Sequence, residues 1–187
     1  MSLPFGVTEP VAASQPELVV LVDDDGTPTG TADKSVIHDG ETPLHLAFSC
    51  HVFHTDGRVL VTRRAIGKRT FPGIWTNSFC GHPAPGEASV DAVRRRALRE
   101  LGLTLGDIEV VLPDFRYRAV DAAGIVENEI CPVFTATVDA DPAPADDEVA
   151  EWAWASPSQL RAAVEATPFA YSPWLVLQLG EWAAFGR

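Results

Sequence analysis

Two short spacings in this sequence bring reactive side chains together. In the run Trp75 to Pro83, WTNSFCGHP, Cys80 and His82 are two positions apart, so an extended backbone points both to one side. In the run Gly124 to Phe134, GIVENEICPVF, Glu127 and Glu129 have the same relation, and Cys131 continues their row. Two carboxylates on one strand face repel each other. Either that face is solvated, or a cation sits between them. His38, His45 and His82 lie in three separate segments near turns or strand ends. A single histidine is usually structural. Three imidazoles with two carboxylates suit a borderline transition metal such as Mn²⁺, Zn²⁺ or Fe²⁺, and suit Ca²⁺ poorly.

These residues need elements to hold them. Glu17 to Asp23 reads as a strand, followed by a turn of Asp, Gly and Pro chemistry. Thr31 to His38 is either a short helix or irregular. Leu44 to His54 reads as a strand, and the Asp56-Gly57 turn pairs it with Arg58 to Arg64. Alternation there puts Val59, Val61 and Arg63 on one face and Leu60, Thr62 and Arg64 on the other. Trp75 to Phe79 is aromatic and β-prone. From Ala88, the apolar residues Val90, Val93, Ala97 and Leu101 recur at helical spacing, and Gly102 is a natural stop. Ile108 to Ala119 and Ile125 to Val138 read as a long antiparallel hairpin. Asp139 to Asp147 reads as a surface loop and Glu151 to Ala155 as a short strand. One helix is expected from Ser156, with Ser as N-cap and Pro next, and a last one from about Ser172-Pro173 to Phe185. No internal repeat is visible. The pattern predicts an α/β/α sandwich with mixed and antiparallel strands, one domain over residues 17–187 after a flexible tail over residues 1–16.

Composition narrows the partners. A length of 187 residues with 46% hydrophobic content suffices for one real core. The net charge of −12 argues against nucleic-acid or anionic-membrane binding, both of which need basic surface. The acidic charge is concentrated partly at Asp139 to Glu148 and is expected there in a solvated loop. Lys34 and Lys68 are the only lysines, so a phosphate-facing cluster must be local and mostly arginine. No apolar run approaches the ~20 residues that span a bilayer, and no signal peptide is apparent. Cys50, Cys80 and Cys131 have no framework spacing, which predicts free thiols and a cytoplasmic protein. No oligomeric signal is readable, and a monomer is the expectation.

The run Gly81 to Leu103 resembles the Nudix box, G-x5-E-x7-R-E-U-x-E-E-x-G-U with U a bulky aliphatic. Gly81, Glu87, Arg95, Glu100, Gly102 and Leu103 fall in register. Arg96 and Arg99 stand where the hydrolase box has glutamates, and Ala97 is small for its slot. The likeness therefore implies the fold and a reduced Mg²⁺ site, and it weakens a pyrophosphohydrolase reading.

Further runs resemble the type I isopentenyl-diphosphate isomerases of the Nudix superfamily. They are PTGTADKSVIH, LHLAFS, TRRA, WTNSFCGHP, PDFRYRA, GIVENEICPVF and ATPFAYSPW, which together extend from Pro28 to Trp174. The resemblance implies a 1,3-allylic shift from isopentenyl to dimethylallyl diphosphate by protonation and deprotonation through a tertiary carbocation. It implies Cys80 and Glu129 as the proton-transfer pair, assisted by Tyr117, with Trp174 covering the cation. It implies His38, His45, His82, Glu127 and Glu129 as ligands of one transition metal (Mn²⁺ or Zn²⁺, with Fe²⁺ compatible), and Glu100 as the Mg²⁺ ligand. It implies Lys34, Arg64 and Lys68 on the diphosphate, with Arg96 joining them. Glu87 is a poorer metal candidate and is expected to orient the loop before the helix. A binding module that had lost its chemistry is the third reading, and the filled catalytic positions count against it.

Overall fold

The computed structural model describes residues 17–186; the tail expected over residues 1–16 lies outside the described residues. The chain begins with β1 (Leu18–Val22), β2 (Pro28–Asp33) and a single helical turn, α1 (Lys34–Ile37). Next come β3 (His45–Leu46), β4 (Phe48–His54), β5 (Val59–Arg64), β6 (Trp75–Thr76), β7 (Phe79–Gly81) and α2 (Ser89–Leu101). The remainder is β8 (Ile108–Leu112), β9 (Arg116–Val120), β10 (Val126–Ile130), β11 (Val133–Val138), β12 (Val149–Ala155), α3 (Pro157–Ala166) and α4 (Pro173–Glu181).

Two sheets share these strands. The larger runs β12-β5-β4-β11-β8, with β6 added to β5 and β7 to β4; the smaller runs β2-β1-β3-β10-β9. Each sheet has one parallel pair near its middle, β4 with β11 and β3 with β10. Runs that look like single strands in sequence are bent from one sheet into the other. Leu44 to His54 divides at Ala47, and the hairpin arms divide at Pro113 to Phe115 and at Cys131-Pro132. Proline has no N–H to give a central ladder, so Pro113 and Pro132 sit at the bends. The hairpin's open half, β8 with β11, belongs to the larger sheet, and its turn half, β9 with β10, to the smaller. Pairing stays in step through the bend: Ala47 N donates to Ile130 O at 2.9 Å and Ser49 N to Pro132 O at 3.1 Å.

The larger sheet lies between helices, as the α/β/α reading expects. Strand β5 shows both faces. Leu60 joins the core that contains Ala92, Val93, Ala97 and Leu101 of α2. Val59 and Val61 join the core of Leu160, Val164, Leu175 and Leu179 from α3 and α4. Burying each such side chain stabilises the fold by about 1.5–3 kcal/mol, and Leu60→Ala would cost about 2–5 kcal/mol. A third core, with Phe71, Phe115, Tyr117 and Trp174, lies under the functional cavity.

Several local expectations change. Pro28 to Asp33 is an edge strand on β1 rather than a turn running into a helix. It shows no burial alternation, so no period marks it. On α2, Val90 is exposed and the buried stripe is Ala92, Val93, Arg96, Ala97, Glu100 and Leu101. Gly102 ends α2 as expected, at φ 65°, with its N–H on the Ala97 and Leu98 carbonyls. Ser156 precedes α3, but its hydroxyl bonds Ser158 instead of a helix N–H. The last helix ends at Glu181, not Phe185, because Arg161 draws the Leu179, Trp182 and Phe185 carbonyls onto its guanidinium.

Candidate active site

A cavity of about 770 Å³ takes residues from both sheets and from α1, α2 and α4. It is lined by Lys34, His38, Arg64, Lys68, Cys80, His82, Arg96, Tyr117, Glu127, Glu129 and Trp174. Of the catalytic, diphosphate and metal residues that the resemblance implies, His45 and Glu100 are the two absent from its wall; His45 contacts Glu129 and His82, and Glu100 contacts Arg96, all of which line it. Register explains one side. His45 on β3, Glu129 on β10 and Tyr117 on β9 are direct cross-strand neighbours, so they share a sheet face. Gly81 explains another. A Cβ there would come within 2.9 Å of Arg96 Cγ and Phe48 Cζ, so only glycine lets β7 lie this close to α2.

The row of Glu127 and Glu129 faces inward, which removes the solvated-face alternative: the two are 6% and 4% exposed. The ligand atoms of His38, His45, His82 and Glu129 lie within 4.8 Å of one another. His45 Nδ1 is 2.9 Å from the Pro43 carbonyl, which can only accept, so that nitrogen carries the proton. When the ring is neutral it therefore turns an Nε2 lone pair into the space shared with His82 Nε2, 3.3 Å away, and Glu129 Oε1, 3.5 Å away. His82 Nε2 is itself 3.2 Å from Glu129 Oε1. His38 Nε2 lies 3.3 Å from Glu127 Oε2 but is not aligned to bond it and has no other partner. Such convergence of buried lone pairs suits a divalent cation, and a second bond that fixes the tautomer is what imidazole ligands usually have.

The charges agree. Burial opposes a charge on His45, yet the bond to Glu129 outweighs it and raises the imidazole above its ordinary value. Burial depresses His82 to about 4. Burial opposes the Glu129 charge too, but His45 and His82 together hold the carboxyl well below the usual range.

Cys80 has the opposite inventory. Burial pushes its thiol up to about 12, and the Glu129 charge adds to the effect. The thiol is therefore S–H at neutral pH. Its sulfur is 3.3 Å from Ser49 Oγ and 3.5 Å from Asn77 Oδ1. Tyr117 is likewise held as O–H, raised well above its ordinary value by burial and by Glu129. Trp174 is packed by Phe71 at 5.3 Å and Tyr117 at 5.7 Å between ring centroids. The Arg64 guanidinium sits 5.5 Å from the Trp174 centroid, so this indole face already accommodates a cation.

The basic residues are all engaged by carboxylates or carbonyls. Lys34 bonds Glu17 at 3.1 Å, and Lys68 bonds Glu148. Arg96 bonds Glu100 at 2.6 Å and reaches Glu148 at 3.2 Å and Glu17 at 3.4 Å. Arg64 donates to the Thr70 carbonyl at 2.9 Å and to Thr70 Oγ1, whose own proton goes to Glu127. Phe71, the next residue, holds φ at 45°, a strained value for a non-glycine. Glu100 differs from the imidazole set, because its carboxylate is taken by Arg96 and does not reach the cavity wall. Glu87 bonds Arg95 and the Ala84 N–H, which ties the loop before α2 as the sequence suggested.

Sequence reasoning did not single out Glu17, Glu148, Thr70, Ser49 or Asn77. Glu148 was expected in a solvated loop and is instead half-buried against Lys68 and Arg96. No spacing signals such a long-range ion pair. Asn77 and Ser49 do stand inside the recognisable runs TNSFCGHP and LHLAFS, and that was the one available signal. His51 is buried away from the cavity against Gln178, and His54 pairs with Asp56. Cys50 and Cys131 pack in cores, as expected.

A NUDIX domain model matches residues 43–175. The chain is 62% identical to the isopentenyl-diphosphate Delta-isomerase of Kocuria rhizophila over 168 residues, 90% of this chain and 93% of that one. It is 65% identical to the isopentenyl-diphosphate Delta-isomerase of Clavibacter sepedonicus over 163 residues, 87% of this chain and 86% of the relative. The solved structure of DR0079 from Deinococcus radiodurans aligns with a TM-score of 0.70 at 18% identity, covering 89% of this chain and 99% of its own. At that identity the likeness concerns the fold alone. No described helix is long and apolar enough to cross a membrane.

Proposed function

We propose that this chain, which belongs to the Nudix family and within it to the isopentenyl-diphosphate Delta-isomerases, shifts the double bond of isopentenyl diphosphate to give dimethylallyl diphosphate with Cys80 and Glu129 as its proton-transfer pair. One observation carries the reading: the thiol, the carboxylate, the indole and four cationic side chains line a single cavity.

The substrate alkene has no neighbouring carbonyl to activate it. Its terminal carbon must gain a proton, which leaves a tertiary cation, and the allylic carbon must then lose one. The site needs an acid, a base, stabilisation of the cation and exclusion of water. Cys80 holds a proton and Glu129 holds a charge, so between them they carry one transferable proton. The reaction takes one in and gives one back. Tyr117, next to Glu129 in register, supports that exchange with its retained O–H. The Trp174 face stabilises a cation beside it by up to about 2 kcal/mol once water is excluded.

Lys34, Arg64, Lys68 and Arg96 receive the diphosphate. Each exchanges an internal carboxylate or carbonyl partner for phosphate oxygens, with arginine offering a planar fork and lysine a point charge. His38, His45, His82, Glu127 and Glu129 would hold the transition metal, Mn²⁺ or Zn²⁺, which when bound orients Glu129 and satisfies the facing imidazoles. For Glu100 to take Mg²⁺ with the diphosphate, its bond to Arg96 must open, which releases Arg96 toward the same phosphates. Three free cysteines and the acidic surface support work in the cytosol as a monomer.

The test is incubation with isopentenyl diphosphate and Mg²⁺ in D₂O, followed by proton NMR. Dimethylallyl diphosphate carrying solvent deuterium is the expected product. Folded, metal-replete protein that gives neither product nor exchange would overturn the reading.

A further inference from the structure

Asn77 belongs to none of the roles above, yet it is the most connected side chain beside the reacting thiol. It lies fully buried between β6 and β7. Its partners fix which way the amide points. The Trp174 indole N–H can only donate, and it lies 2.9 Å from Oδ1. The Cys50 and Phe79 carbonyls can only accept, and they lie 2.9 Å and 2.8 Å from Nδ2. Oδ1 therefore faces the cavity side, where Thr76 Oγ1 also donates to it at 2.9 Å. Cys80 Sγ is 3.5 Å from the same oxygen. An amide oxygen brings no hydrogen to that contact, so the sulfur must supply it as S–H. On the other side of the amide, Nδ2 donates to Ser49 Oγ at 2.9 Å, and Ser49 Oγ also touches Cys80 Sγ at 3.3 Å.

We propose that Asn77 is a positioning residue for the isomerisation, whose carboxamide clamps the Cys80 thiol and the Trp174 indole to one another so that the proton and the cation-stabilising face meet the same alkene. The inference rests on the reading of Cys80 and Trp174 given above. One oxygen receives both groups, and two backbone carbonyls hold the amide in place. A displaced thiol would leave the imidazoles, the carboxylates and the four cationic side chains of the cavity where they are. The clamp therefore acts on turnover and leaves substrate binding alone.

The experiment compares Asn77→Ala with the unaltered, metal-loaded protein. Positioning predicts a kcat lower by about 10- to 100-fold, the range expected of a displaced reacting group. It also predicts an unchanged metal content, KM within about threefold and a larger solvent deuterium effect on kcat as proton transfer becomes slower. A kcat within about threefold of the original, or a fall in kcat matched by lost metal and raised KM, would overturn it. Should Asn77→Ala fail to fold, the infrared S–H stretch of Cys80 decides. It is read in Ser49→Ala, which removes the other acceptor within reach, as the difference between that variant and Ser49→Ala/Cys80→Ala. A stretch lowered as in a hydrogen-bonded thiol supports the clamp, and one at the free-thiol position refutes it. If Cys80→Ala itself turns over normally, the assignment of Cys80 fails first, which separates the two results.

Discussion

The cavity holds two charged clusters built on opposite plans, one buried around Glu129 and one partly open around Arg96. Around Glu129, ring nitrogens and carboxylate oxygens face one another at 3.2 to 3.5 Å. Around Arg96, every cation is already matched, with Glu17, Glu100 and Glu148 drawn in against Lys34, Lys68 and Arg96. The first cluster gathers buried electron-pair donors on one point, and the second is neutralised from within. Buried like charges are costly unless compensated. The first arrangement thus suits a resident metal, while the second suits a ligand that arrives, displaces carboxylates and leaves. Thr70 joins them, since its hydroxyl bonds both Glu127 and Arg64.

Substitutions should separate the two plans. The largest effect belongs to the lone-pair cluster. His82→Ala is expected to lose the tightly bound divalent ion, from about one per chain to none, and with it more than about 100-fold of activity. Elemental analysis of the purified variant checks this, and an unchanged metal content would remove the distinction between the clusters.

A buried imidazole without a carboxylate sharpens the contrast. His51 bonds the Gln178 amide among the rings of Trp182 and Phe185, and burial depresses it to about 4. The unfolded chain titrates near 6.5, so between those values it binds more protons than the folded one. The contribution of His51 is then complete above pH 6.5 and lost as pH falls toward 4, by about 3 kcal/mol in all. Urea unfolding across that range should show the loss, and His51→Gln should flatten it relative to the intact protein.

The smallest effects come from opposite changes within the second cluster. Glu148→Gln frees Lys68 and part of Arg96, so KM for the diphosphate should fall about three- to tenfold at low salt, with less change at high salt. Lys68→Ala should raise KM by about tenfold or more, the loss of one charge-assisted bond. Steady-state kinetics at two ionic strengths read both. A rise in KM for Glu148→Gln would mean that this carboxylate supports the site instead of competing for its cations.

Much of this was legible beforehand, and the reasons for the rest are physical. Cys80 with His82, and Glu127 with Glu129, were readable because two-residue spacing fixes a shared face whatever the tertiary fold. The α/β/α layering followed from α2 and the flanking strands. The bends at Ala47 and Pro132 were not, since a strand that changes sheet keeps its composition. Strand β2 was hidden because an exposed edge of Pro, Thr and Gly has no period. Val90 misled because its spacing suits either of two adjacent stripes on α2, and packing selects the one containing Arg96 and Glu100. Glu17 and Glu148 join the cationic cluster across more than 50 residues of chain, Glu17 to Arg96 and Glu148 to Arg96, and only the folded chain brings them there.

The most direct test of the account is turnover by Cys80→Ala and Glu129→Gln, each first verified as folded and the former as metal-loaded. Transfer of a proton by a positioned group contributes about 10²–10⁴-fold, and the account predicts a loss of at least that size in each variant. Either variant turning over within about tenfold of the intact protein would contradict the proton-transfer pair.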